Sequence, residues 1–297
     1  LEGTPKVKFA TAQSFFDSIL AGDTSALPHW VGELYLEMHR GTLTTQARTK
    51  RNNRKLEQLL SLTEFVCSML PAAKYPRKEL DKLWKCLLIN QFHDILPGSS
   101  IRMVYENTEK EHGEMFTGLG ALLRDAGREL LQPRANASTL VNTLSWEYRR
   151  PVELPKEWAD GAIRDEDGNE VVAQVEDDGR VVAAVPMPPG QWKTLQCVAA
   201  DHGLAKCQAD SKLVLENDLV RYEFAKNGLL LSAQRKSDGF EFLREPGNVF
   251  TLYADHPIMY DAWDIDPWYT REAVGSAKAA FDAVRITGPV RSILRFS

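Results

Sequence analysis

An α+β architecture is predicted for this chain, and three observations predict it. Residues 6–37 read as a strand, a helix and a second strand-like run. Apolar residues recur at helical spacing between residues 46 and 131. Past a proline-bearing polar break at residues 132–138 that period disappears, and short apolar runs follow one another with Gly, Asn and Asp between them. The pattern assigns residues 46–132 to an antiparallel three-helix bundle and residues 133–297 to an incomplete antiparallel β-sandwich, and leaves residues 1–45 either as a piece packed on these or as the remnant of an α/β domain.

The composition narrows the function classes. With 297 residues, 43% of them hydrophobic and 26% charged, the chain is an ordinary globular one, long enough to bury two cores. A net charge of -5 without any basic run argues against nucleic acid and against an anionic membrane surface as partners. No apolar run approaches the length of a membrane span, and the first residues do not resemble a signal peptide. Cys67, Cys86, Cys197 and Cys207 lie far apart without metal-ligand spacing, so buried free thiols in a reducing, cytoplasmic setting are expected. One N-x-S match, Asn136-Ala137-Ser138, is too short a pattern to place the protein in a secretory pathway.

The elements follow in order. Residues 6–10 form a short strand-like run, and Thr11 is placed to cap a helix at Ala12–Leu20 whose Phe15, Phe16, Ile19 and Leu20 share a face. Two such elements cannot make a sheet domain, so they either pack on the rest or belong to a domain lying upstream. Leu56, Leu59, Leu60, Thr63, Val66, Cys67 and Leu70 form the first bundle stripe, ended by Pro71. Arg48, Lys50, Arg51 and Arg54 on the same helix read as a solvated basic face. The second helix spans residues 76–92, with Leu80, Leu83, Trp84, Leu87 and Leu88 on its buried side. The third and longest stripe runs from Ile101 through Tyr105, Thr108, His112, Met115 and Leu119 to Leu130. His112 on that stripe reads as a core or boundary histidine rather than a ligand.

In the sandwich region, residues 171–175 and 180–185 flank Glu176-Asp177-Asp178-Gly179, a hairpin signal. Strand-like runs continue at 192–198, 212–216, 219–224, 229–234, 249–253, 283–286 and 290–296. The pattern ends inside a strand, which implies a sheet continuing beyond it.

The second bundle helix is expected to end near residues 92–94, because Pro97 and Gly98 cannot sit inside it. His93 and Asp94 then stand at a helix end entering a sharp turn, with Ser99 or Ser100 placed to cap the next helix. Two readings of that pair stand side by side. A histidine near a helix C-terminus and an aspartate before a turn are common local chemistry. An imidazole and a carboxylate on a rigid corner can equally be aimed at a ligand.

Three motifs occur in order. They are Trp30-Val31-Gly32-Glu33-Leu34-Tyr35-Leu36-Glu37-Met38-His39-Arg40-Gly41-Thr42, then Asn90-Gln91-Phe92-His93-Asp94-Ile95-Leu96-Pro97-Gly98-Ser99-Ser100, then Tyr260-Asp261-Ala262-Trp263-Asp264-Ile265-Asp266. Together they resemble the glycoside hydrolase family 38 α-mannosidases of the bacterial and cytosolic type, over essentially the whole chain. The resemblance implies the middle of a longer retaining exo-acting enzyme: the tail of a barrel-like catalytic domain, the bundle, and the start of the sandwich region. It also implies a zinc ion that binds sugar hydroxyls. His93 would be the bundle's metal ligand and Asp94 a carboxylate contacting the sugar. Asp261, Trp263 and Asp264 would lie in a loop near the sugar; the competing reading packs Trp263 and Trp268 in the sandwich core. Glu37 and His39 would line the barrel–bundle junction or form a structural ion pair.

Retention needs a nucleophile and an acid/base roughly 5 Å apart. The resemblance puts both upstream and assigns no catalytic residue here; Glu33, Glu37 and Asp264 do not take these roles. One imidazole cannot hold a catalytic zinc, so these residues alone are expected to be inactive. Terminal α-linked mannose of an oligosaccharide or mannoside is the implied substrate. The alternative is a non-catalytic carbohydrate-binding or interaction module. An uncovered apolar face in residues 6–40 would make self-association, and hence a homo-oligomer, plausible.

Overall fold

Helix α1 (Ala12–Leu20) opens on Thr11, whose hydroxyl accepts the Ser14 amide at 3.2 Å, the N-cap expected from sequence. The computed structural model describes residues 3–32, 39–132, 134–278 and 283–297. Residues 1–38 and residues 39–297 form two separate compact units. Within the first, α1 is the one regular element among the described residues, and none of its side chains is buried. The strand expected at residues 6–10 does not form. A strand needs a neighbour to pair with, and here Val7 and Phe9 are fully exposed on irregular backbone. The run from Trp30 to Glu37 falls largely outside the described residues.

The second unit begins with the bundle: α2 (Ala47–Cys67), α3 (Arg77–Asn90) and α4 (Arg102–Leu130). Leu56 and Leu60 from α2, Leu80 and Leu87 from α3, and Met115 and Leu119 from α4 meet in one buried cluster, as the three stripes predict. Burying each such side chain stabilises the fold by about 1.5–3 kcal/mol. Leu88, expected on the buried side, is exposed, and so is Ile101. Leu88 follows the fully buried Leu87, a step of about 100° round the helix away from the core, and Ile101 stands at the N-cap of α4, outside the helix. Further along the bundle, Val66, Cys67 and Ala126 form a smaller cluster with Val141 and Trp192, which joins the helices to the β region. Among the described residues no helix is long and apolar enough to cross a membrane.

The β region is built from small, mainly antiparallel sheets. Ala137–Val141, Trp192–Val198 and Ala162–Arg164 make one, with Thr139 opposite Thr194. Val152–Leu154, Val181–Ala183, Ala173–Val175 and Ala205–Lys206 make another, whose last pair is parallel. Leu154, Trp158, Ile163, Ala173, Val181, Ala183, Val185, Met187 and Leu195 from these two sheets and their connections share one core. The expected hairpin is present: Glu176 donates its amide to the Arg180 carbonyl at 2.8 Å, and Gly179 turns the chain at φ +78°.

The later strands, Val214–Glu216, Val220–Phe224, Leu230–Arg235, Phe250–Tyr253, Val284–Thr287 and Ser292–Arg295, fall within a few residues of the runs read from sequence. Strands at Ala137–Val141, Val152–Leu154, Ala162–Arg164 and Ala273–Ala277 are additional. They are short or rich in small residues, and alternation over so few positions gives no periodic signal. A long-range ionic clamp crosses the region. The fully buried Glu176 carboxylate accepts from Arg291 at 2.6 and 2.9 Å and pairs with Arg180 at 3.0 Å.

Candidate functional site

The corner between α3 and α4 is tied to the rest of the bundle by side-chain amides and closed by its own serines. Helix α3 stops at Asn90, whose amide nitrogen donates to the Cys86 carbonyl and to Glu111 on α4, while its oxygen accepts from Thr108. Gln91, the next residue, donates to Asn53 and Glu57 on α2. These two amides fasten the end of one helix to both of the others. The turn then continues through Ile95 and Leu96, whose amides both donate to the Phe92 carbonyl.

The expected serine cap is not made. The N-cap position of α4 is Ile101, which has no side-chain bond to the helix. Ser100 instead donates to the Asp94 carbonyl at 2.6 Å, and its own amide donates to the Tyr105 hydroxyl at 2.8 Å. Ser99 reaches the Asp94 carboxylate at 3.3 Å. The serines therefore close the corner on itself, and the buried Tyr105 ring supports it from below.

The side chains of the pair point outward. That of His93 is 73% exposed and that of Asp94 43%, with His93 Nε2 lying 3.3 Å from Asp94 Oδ2. The His93 ring leans on Phe92 at 4.2 Å between centroids. A pair held this way keeps a fixed backbone while presenting imidazole and carboxylate to solvent. Asp94 keeps one bond back into the corner, from Ser99, while among the described residues the His93 ring makes none to the corner beyond its contacts with Asp94 and Phe92.

Residues 39–45 connect this corner to the third motif. Gly98, at φ +104°, lies so close to Thr45 that a Cβ would come within 2.7 Å of its methyl and 2.8 Å of its carbonyl. Thr45 donates its hydroxyl to the Gly41 carbonyl at 2.6 Å, and Gly41 donates its amide to the Trp263 carbonyl at 2.9 Å. A Cβ at Gly41 would press on Trp263 and Asp264 backbone at 3.1–3.2 Å, so close approach explains that glycine. The His39 ring meets Trp263 edge-on at 5.1 Å.

The third motif is a tight loop. Tyr260, at φ +59°, accepts the amides of Trp263 and Asp264, and the Asp264 carboxylate accepts the amide of Ile265. Asp261 is exposed, while Trp263 and Asp264 are half-buried. Packing of Trp263 and Trp268 in the sandwich core is overturned: Trp268 is exposed, and Trp263 lies against residues 39–41. Among the described residues no hydrogen bond or ion pair joins His93 or Asp94 directly to Asp261, Trp263 or Asp264. The two groups communicate through Gly41, Thr45 and Gly98. Glu33 and Glu37 lie outside the described residues.

The family is decided by two matches that bracket this geometry. Residues 37–130 match the α-mannosidase middle domain, and residues 215–296 match the C-terminal domain of glycosyl hydrolases family 38. The chain belongs to glycosyl hydrolase family 38. Human Alpha-mannosidase 2C1 is 33% identical over 284 residues, covering 92% of this chain and 26% of that protein. Alpha-mannosidase G of Dictyostelium discoideum is 27% identical over 337 aligned positions, covering 99% of this chain and 30% of its own length. A crystal structure of an alpha-mannosidase from Enterococcus faecalis V583 shares the fold, with a TM-score of 0.59 at 15% identity, over 96% of this chain and 44% of that one. This family 38 chain thus spans about a quarter of the length of the human relative it matches.

The donor set for a metal is partial. Among the described residues no three His, Cys, Asp or Glu side chains converge as a metal group. A catalytic zinc takes three protein ligands, whereas the corner of this family 38 chain offers one imidazole with an adjoining carboxylate. The described residues alone do not fit a complete zinc site.

Sequence reasoning missed the framework of the corner. Asn90 and Gln91 stand inside the quoted motif, and two amides in succession at a helix end were the available signal. Tyr105 was assigned only to the apolar stripe. Lys50 does not lie on the solvated basic face that its spacing predicts. Arg48 and Arg54 do form exposed ion pairs, with Glu109 and Glu57. Lys50 instead turns into the corner and bonds three backbone carbonyls, those of Thr45, Leu96 and Pro97. All four cysteines are free, but only Cys67 is fully buried; burial pushes every one of the four thiols up.

Proposed function

We propose that this chain supplies the bundle corner and part of the sugar-binding surface of a retaining α-mannosidase acting on terminal α-linked mannose. One observation supports the reading above the others: His93 and Asp94 are presented together to solvent from a corner that side-chain bonds from Asn90, Gln91 and Ser100 fasten to the bundle and to itself. In this reading His93 is one ligand of a divalent metal, zinc by the family resemblance and compatible with an imidazole donor, and Asp94 accepts sugar hydroxyls. The metal's remaining ligands, the nucleophile and the acid/base come from residues other than those described.

When bound, the metal would hold sugar hydroxyls and so orient the ring for displacement. The work of this chain's own residues is positional. Asn90 and Gln91 hold the end of α3, the serines and Tyr105 close the corner, and Gly98 lets it sit against Thr45. Trp263 offers an aromatic face on which a pyranose can stack, while Asp261 and Asp264 provide acceptors at its edge.

The test is His93→Ala in the active protein that carries this chain, assayed on an aryl α-mannoside together with its bound zinc. Loss of both activity and zinc, with folding unchanged, is expected. Full activity in the variant would remove His93 from the metal. Mannose binding by the 297-residue chain alone, unaffected by His93→Ala, would favour the non-catalytic binding module.

A further inference from the structure

We propose that Lys50 is a positioning residue that sets where the His93–Asp94 pair stands relative to the Trp263–Asp264 loop. The inference deepens the functional reading above and rests on it for its catalytic consequence, although not for its structural one.

Lys50 sits in the first turn of α2, half-buried, and its amine places one proton on each of three carbonyls: Thr45 at 2.5 Å, Leu96 at 2.8 Å and Pro97 at 2.9 Å. An ammonium has three donors and all three are used. No carboxylate pairs with it among the described residues, and burial draws its pKa below the ordinary lysine value without any opposing partner. A lone cation held by backbone dipoles is a costly arrangement unless those carbonyls need fixing.

The identity of the three carbonyls gives the arrangement its meaning. Leu96 and Pro97 follow Asp94 within the corner, and Thr45 ends the segment whose Gly41 holds the Trp263 backbone. The Lys50 amine is therefore the point at which the two halves of the candidate site are referenced to one helix. The Gly98–Thr45 contact beside it maintains spacing by steric fit alone. Removing the amine leaves the helices in place but frees Leu96 and Pro97 to move, and with them the turn that carries His93. A displacement of about 1 Å at a catalytic group can lower a rate roughly a hundredfold.

Two variants test this. Lys50→Met keeps the aliphatic stem and removes the donors. Lys50→Arg keeps the charge, but its planar fork cannot converge on three carbonyls as an ammonium does. Hydrogen exchange and NMR of the 297-residue chain are the first readout. Both variants should lose amide protection at Ile95, Leu96 and Gly98 and shift the His93 ring signals away from their Phe92-stacked position, Met more than Arg. Protection at Leu60 and Met115 in the bundle core should be unchanged. The second readout is the kinetics of the active protein on an aryl α-mannoside, where kcat should fall roughly tenfold to a hundredfold with KM little changed.

Unchanged corner exchange and unchanged His93 signals in a folded variant would overturn the proposal, whatever the enzyme does. Should Lys50→Met fail to fold, Lys50→Arg alone decides by the same signals. If the wild-type protein hydrolyses no α-mannoside, the functional reading fails, and the exchange measurement still decides the role of Lys50.

Discussion

Replacing His112 with leucine should stabilise the bundle, and more so in acid. His112 lies on the buried face of α4 at 1% exposure, and neither ring nitrogen has a hydrogen-bond partner among the described residues. An unpaired buried polar group costs about 1–3 kcal/mol, whereas exchanging the ring for a hydrocarbon of similar volume costs up to about 1.5 kcal/mol in repacking. The net expectation near neutral pH is a gain centred on about 1 kcal/mol and reaching at most about 3 kcal/mol. Burial holds the imidazole below its ordinary value of 6.5, against a weaker upward pull from Glu111 and Glu109. The unfolded chain therefore takes up this proton first as pH falls. Below the unfolded value the unfolded state holds more protons, and wild-type stability declines until the folded pKa is passed.

Leucine lacks that dependence, so the gap between variant and wild type should widen from about pH 7.5 to about pH 5.5. Urea unfolding followed by helical circular dichroism at both values measures it. A leucine variant less stable than wild type at both, or a gap independent of pH, would refute the reasoning. The first result would mean that the ring nitrogens are satisfied in the folded protein, the second that burial does not lower the pKa of the folded imidazole.

Three further substitutions have expected outcomes. Gly98→Ala combines a left-handed backbone with a Cβ driven into Thr45, and should cost about 2–3 kcal/mol in thermal denaturation. Arg291→Met strips one cation from the buried Glu176 carboxylate. Because Arg180 remains, the loss in urea unfolding should be about 2–3 kcal/mol rather than the full cost of an orphaned charge. His93→Ala should leave unfolding within about 0.5 kcal/mol of wild type, since an exposed side chain carries little packing. A larger loss would mark His93 as structural and weaken its assignment to a ligand.

The elements with a period were the legible ones. The three bundle helices announce themselves because an apolar face repeating every three to four residues over three or more turns is hard to produce otherwise. The hairpin at residues 176–179 and the strand Trp192–Val198 are read with similar ease, from turn residues and alternation. The strand at residues 6–10 was misread because strand propensity does not supply a partner. The short strands at Val152–Leu154 and Ala162–Arg164 carry no periodic signal, because three residues are too few for an alternation to show and their pairing is made only in the folded sheets.

At the candidate site the division is sharper. Its residues were named from a linear motif, and the sequence alone determined that His93 and Asp94 stand at a helix end before a turn that needs Pro97 and Gly98. Only the tertiary structure decided that the serines close that turn rather than cap α4, and that Lys50 leaves the basic face for three carbonyls. It alone brought Gly41 against Trp263 and Thr45 against Gly98. The physical reason is range. Periodicity and turn chemistry act along one helix or turn, whereas Lys50 on Leu96 and Pro97, Gly98 against Thr45 and Gly41 against Trp263 join residues 46 to 222 positions apart, whose proximity exists only once the helices have packed.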